Sequence, residues 1–94
     1  MTYETLALYI DGTWASGESR REQEVLNPAT DEVLGRLPHA TPADLDRALT
    51  SAQRAFESWR KSSPMERSRV LRKVGELTRE RAPMIARNLT LDQG

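Results

Sequence analysis

The sequence has no cysteine, which excludes disulfide frameworks, thiolate metal sites and a cysteine nucleophile within its 94 residues. With a single histidine, His39, and no acid close to it, neither a histidine metal cluster nor a Ser/His/Asp triad is expected. Long apolar runs are missing as well. No stretch approaches a membrane span or a signal-peptide core, so the expected location is the cytoplasm. An excess of one charge is also absent: fourteen Lys/Arg balance fourteen Asp/Glu. The whole chain is therefore not a polyelectrolyte tuned for nucleic acid or membrane. Large apolar side chains are scarce, with eleven Leu, four Val, two Ile and one Phe. That is close to the composition of disordered chains, but those also carry a high net charge. The length allows one domain at most, and the expectation is a real fold with an incomplete core.

What is present falls into two parts that meet near residue 40. Residues 1–40 carry seven acids against three bases, and residues 41–94 carry seven acids against eleven bases. The first part holds three of the five glycines and short alternating runs. Leu6, Leu8 and Ile10 alternate with Ala7 and Tyr9, as in a strand with one buried face. Asp11-Gly12 then reads as a tight hairpin turn into Thr13-Trp14. Ser16–Ser19 is loop. Glu24-Val25-Leu26 reads as a strand stopped by the turn cluster Asn27-Pro28-Ala29-Thr30-Asp31, and Glu32–Leu37 runs back as another, ending at Pro38. The expectation is a β-meander of short strands.

The second part has a helical period. Thr41 suits an N-cap, Pro42 the first helical position, and Asp44 the positive end of the helix dipole. Leu45, Ala48, Leu49, Ala52, Ala55, Phe56 and Trp59 form one apolar stripe on a helix of about 18 residues, with Trp59 read as core. Ser63-Pro64-Met65-Glu66 is a capping box opening a second helix, whose apolar face is Val70, Leu71, Val74 and Leu77. Pro83 should end that helix near Arg79–Arg81, and a third follows through Met84, Ile85 and Leu89.

Motif by motif, little chemistry emerges. Gly12 and Gly17 have the spacing of a phosphate loop, but Glu18-Ser19 stands where a lysine would have to meet the phosphates. No G-x-G-x-x-G occurs. Asn88-Leu89-Thr90 is a glycosylation sequon inside an expected helix, and it should stay unmodified. His39 reads as a solvated loop residue. The carboxylate pairs Glu22/Glu24 and Asp44/Asp46 have no apolar surroundings to shift a pKa, and read as solvated surface. Arg60, Lys61, Arg67, Arg69, Arg72 and Lys73 form a basic run broken only by Glu66. Either nucleic acid or an acidic protein partner would fit it, although Arg69/Lys73 repel at i, i+4. There is no nucleophile–base pair, ligand cluster or cofactor loop. The expected sets of catalytic, cofactor-binding and metal-binding residues are all empty.

The order of the signals nevertheless resembles a known family. Leu8-Tyr9-Ile10-Asp11-Gly12-Thr13-Trp14 and Leu26-Asn27-Pro28-Ala29-Thr30-Asp31-Glu32-Val33-Leu34-Gly35 are similar to the opening of the aldehyde dehydrogenase superfamily. The similarity continues through Ala48, Ala52, Ala55-Phe56, Trp59-Arg60, Pro64-Met65-Glu66-Arg67 and Leu71, and ends at Thr90-Leu91-Asp92-Gln93-Gly94. It covers nearly the whole chain from Leu6, and Lys-Pro normally follows at this point in the family.

The resemblance implies an α/β parent fold with a Rossmann-type cofactor domain. Residues 1–94 would be the N-terminal part of that domain and not a complete domain, with the strand meander in 1–40 and the helices in 41–94. It further implies a parent enzyme that oxidises an aldehyde through a thiohemiacetal, passes hydride to NAD or NADP, and releases the acyl group to water. The parent would be a dimer or tetramer whose partners are the remainder of its own chain, with no nucleic acid and no membrane. The family's catalytic cysteine, glutamate and asparagine lie beyond the region covered here. Main chain at Val25 or Leu26 would help hold a monovalent cation in many members, but the other ligands lie elsewhere and no metal site is assigned. The Asp-Gln-Gly ending is similar to the succinate-semialdehyde and related ω-semialdehyde branch. The competing expectations are a stand-alone helical module that binds itself or an acidic partner, and a small nucleic-acid binder.

Overall fold

The computed structural model describes residues 3–94. Four short strands come first: β1 (Leu8–Ile10), β2 (Thr13–Ala15), β3 (Glu22–Leu26) and β4 (Val33–Pro38). Three helices follow: α1 (Pro42–Trp59), α2 (Pro64–Glu80) and α3 (Ala82–Gln93). The strands pair as two separate antiparallel hairpins, β1–β2 and β3–β4, so the expected meander is interrupted between β2 and β3.

Each hairpin follows from its turn. Asp11 and Gly12 both take positive φ (52° and 76°), which a two-residue turn matching the twist of its strands requires. The register that results sets Tyr9 opposite Trp14, with ring centroids 4.7 Å apart and planes tilted by 57°. In the second hairpin Asn27 does most of the turning. Its carbonyl accepts from the amides of Thr30 (3.2 Å) and Asp31 (2.8 Å), and its Oδ1 accepts from Ala29 N at 2.9 Å. The register shifts between Val25 and Leu26, which pair with Gly35 and Val33, leaving Leu34 as an extra, bulged residue on β4.

The helices begin where their caps dictate. Thr41 Oγ1 accepts from Asp44 N at 3.1 Å while Thr41 N donates to Asp44 Oδ2 at 2.9 Å. Ser63 and Glu66 make the same reciprocal pair at 3.1 and 3.0 Å. Both helices have proline at the first position. Pro83 separates α2 from α3 at Arg81, as expected.

The elements pack loosely. α1 lies along β1, and α2 packs on α3. The N-terminal segment is tied to α3 by the Tyr3 hydroxyl, which donates to Asp92 Oδ1 at 2.7 Å. Gly94, at the end of α3, abuts Pro28 and Ala29 of the β3–β4 turn.

The core is nearly absent. Among the described residues Ile10 is the one large apolar side chain that counts as buried, at 9% exposure. The radius of gyration is 16.7 Å, where a compact domain of this length has about 12 Å. The accessible surface is 7648 Å², where a folded monomer of this mass shows about 5,500 Å². Trp59, expected in the core, is 44% exposed, and Leu49 on the same stripe is 70% exposed. The α1 stripe forms as its period requires, but Leu45, Leu49, Phe56 and Trp59 meet no surface among the described residues that buries them.

Candidate functional site

The most ordered polar cluster is centred on Asp44. Arg20 arrives from the loop before β3, and its Nε and Nη2 each donate to a different Asp44 oxygen at 2.7 Å. Arg47 Nη2, one turn on along α1, adds a third bond at 2.9 Å. With the Thr41 amide as well, the carboxylate is fully occupied and only 3% exposed. Arg20 beside it, together with the Thr41 backbone bond, holds the Asp44 carboxyl well below the usual carboxylate range. Arg20 is in turn pushed up by Asp44. The far side of its guanidinium donates to the Ser16 carbonyl at 2.8 Å. The loop holding Gly17 is therefore wrapped around an arginine, and Gly12 belongs to the hairpin turn.

This corrects one expectation. Asp44 was expected at a solvated surface with Asp46, but it is buried and ion-paired while Asp46 stays exposed. Residues two apart on a helix point in different directions. The cation that buries Asp44 comes from 24 residues earlier, so no local pattern announces it.

The other candidates resolve one by one. Glu22 and Glu24 are bridged by Arg36 across the hairpin, at 3.8 and 3.4 Å, on the exposed face. His39 is exposed, and its amide closes the hairpin on the Arg21 carbonyl at 2.7 Å. Asn88 lies within α3, its Nδ2 3.6 Å from Met84 Sδ. The basic run is not one surface. Arg67 is half-buried and donates to the Ser62 carbonyl at 2.7 Å, fastening the α1–α2 connection. Arg60 lies over the Phe56 ring at 6.0 Å. Arg69, Arg72 and Lys73 share a helical face with Glu76 and Glu80, and Lys73 pairs with Glu76 at 3.7 Å.

A shallow cleft of about 360 Å³ lies between the β1–β2 turn and α1, lined by Asp11, Thr13, Asp46, Arg47, Ser51 and Arg54 among others. Ser51 Oγ donates to Asp11 Oδ1 at 3.0 Å, and Arg54 pairs with the same oxygen. Its arginines are thus held by Asp11 and Asp44, and the one hydroxyl with a carboxylate partner donates to it on an exposed surface. The cleft can position a hairpin against a helix, but it offers no activated nucleophile. Among the described residues no group of three or more His, Asp or Glu could hold a metal ion.

A dinucleotide would need free amides at a helix N-terminus. At α1 and α2 that position is filled by the capping carboxylates Asp44 and Glu66, and α3 starts at Ala82-Pro83 with no glycine-rich loop before it. The residues present do not fit a nicotinamide cofactor.

The fold and its unfilled faces agree with the comparison to known proteins. The sequence profile of the aldehyde dehydrogenase family matches residues 14–94. The chain belongs to that family. It is 41% identical over 90 residues to the mouse (Mus musculus) mitochondrial methylmalonate-semialdehyde/malonate-semialdehyde dehydrogenase [acylating], covering 96% of this chain and 17% of that one. It is 40% identical over 91 residues to malonate-semialdehyde dehydrogenase 2 of Bacillus mycoides, covering 97% of this chain and 19% of the relative. A solved aldehyde dehydrogenase from Bartonella henselae superposes with a TM-score of 0.86 at 26% identity, over 93% of this chain and 18% of that one. The chain thus spans less than a fifth of the length of these aldehyde dehydrogenases. The two-hairpin, three-helix arrangement is one found within an aldehyde dehydrogenase of known structure.

Proposed function

We propose that this chain is the N-terminal segment of an NAD(P)-dependent semialdehyde dehydrogenase, structural within that enzyme and inactive by itself. The observation that carries the reading is the pairing of a family match over residues 14–94 with a surface far larger than a folded monomer's. A stand-alone module would bury the stripes of α1 and α2. Here Leu45, Leu49, Phe56, Val70, Leu71 and Val74 are all exposed. On this reading residues 1–94 form part of the cofactor-binding domain, with no catalytic, cofactor-binding or metal-binding residue among them.

For the substrate, the relatives' names favour malonate or methylmalonate semialdehyde over the succinate semialdehyde suggested by the Asp-Gln-Gly ending. The mouse relative is named as acylating, and release of the acyl group to an acceptor other than water is the corresponding reading for the parent here. A homo-oligomeric parent enzyme in the cytoplasm completes the proposal, and fractionation of the source cells tests the location.

The test is the coding sequence past Gly94 together with an assay of its product. A frame that continues through a cysteine and a glutamate placed for catalysis, and whose product reduces NAD(P)+ with malonate semialdehyde, is the expected result. Turnover by purified residues 1–94 that survives repurification contradicts the reading.

A further inference from the structure

By its own sequence α3 is a weak helix. Arg81 opens it without a side-chain cap, and its last turn holds no base. That turn instead holds Asp92, a negative charge at the negative end of the helix dipole. Such an end stays wound where contacts from elsewhere in the fold hold it.

Two contacts tie this end to the β3–β4 hairpin. Gly94 takes a φ of 77°, and a Cβ there would come within 3.2 Å of Ala29 N and 3.3 Å of Pro28 Cβ. The second contact runs through Tyr3. Its hydroxyl donates to Asp92 Oδ1 at 2.7 Å, and this bond pushes the hydroxyl above the ordinary tyrosine value. Its ring lies against Gly35 of β4, with Cδ2 3.6 Å from where a Cβ would stand and Leu6 Cδ1 beside it at 3.7 Å. Gly35 is not among the residues of positive φ, so the backbone there does not require glycine. Its missing side chain instead leaves room for the ring.

We propose that residues 3–6 form a strap that latches the last turn of α3 to β4, with Gly35 as the seat of the Tyr3 ring and Asp92 as the catch. Tyrosine suits the task, because its ring packs on the seat while its hydroxyl reaches a polar partner. The strap and the end of α3 are therefore ordered together. The inference uses contacts within residues 3–94 alone and does not rest on the segment reading above.

The experiment measures amide exchange in the protein as its gene encodes it, in Y3F, D92A, G35A and G35V. Y3F keeps the ring and removes the donor, so exchange at residues 91–94 should speed up about two- to tenfold, the worth of one hydrogen bond. In a D92A background Y3F should add nothing. G35A fits beside the ring and should leave the exchange unchanged. G35V fills the seat and should speed exchange at the same α3 amides. Protection within α1 reports that each variant has folded. Y3F without effect on residues 91–94, or with an equal effect in the D92A background, overturns the proposal. A folded G35V that leaves the end of α3 unchanged also overturns it. If G35V does not fold, the comparison of Y3F with and without D92A decides alone.

Discussion

Arg20 and Asp44 lie 24 residues apart, yet two hydrogen bonds of 2.7 Å join them side by side. This fork fixes where α1 begins relative to the loop before β3. The same carboxylate also caps α1, so one side chain sets both the start of the helix and its tertiary position.

Replacing Asp44 should therefore loosen two things at once. D44A is expected to lower the helix content of α1 and release the Ser16–Arg20 loop, whereas R20M should release the loop and leave the cap. Amide exchange separates the two, with faster exchange at the Thr41 amide, which loses its carboxylate acceptor, in D44A alone.

The pH dependence has a definite sign. The folded Asp44 carboxyl lies below its unfolded value, so its contribution is complete above the ordinary aspartate range. It is lost progressively as the pH falls below about 4 towards the folded value. The difference in Tm between wild type and D44N should be present at neutral pH and shrink in acid. A difference that grows in acid would contradict the pairing.

Ser63 tests α2. S63A removes the acceptor for Glu66 N and should cost about 1 kcal/mol, while S63G should cost only a few tenths. Guanidinium unfolding of the full-length enzyme, or helix content of the segment, measures it.

Gly12 tests the first hairpin. With φ at 76° and open space where a side chain would go, G12A meets backbone strain and no clash, at a cost of about 1–2 kcal/mol. Loss of the near-ultraviolet dichroism of the Tyr9–Trp14 pair is the expected sign.

The parts of the fold legible in the sequence are those set by neighbours along the chain. Asp11-Gly12 marks a turn, Ser63-Pro64-Met65-Glu66 marks a helix start, and Pro83 marks a break, because each acts within a few residues. What sequence reading missed depends on distant partners. The burial of Asp44 needs Arg20, and the exposure of Trp59 follows from the lack of an opposing surface. The exposure of Ile85 and Leu89 on α3 has the same cause, since periodicity identifies an apolar stripe but not what covers it. The signal that could have flagged Asp44 is its third place after Thr41, the reciprocal capping position, which favours a fixed carboxylate over a solvated one.

The central claim is that residues 1–94 are a working structural segment of a dehydrogenase with no chemistry of their own. The most direct measurement replaces the matching N-terminal stretch of the Bacillus mycoides malonate-semialdehyde dehydrogenase 2 with residues 1–94 and follows NAD(P)+ reduction with malonate semialdehyde. The chimera should turn over, and both residues 1–94 alone and the enzyme lacking this stretch should be inactive. An inactive chimera, or turnover by residues 1–94 alone, would contradict the account.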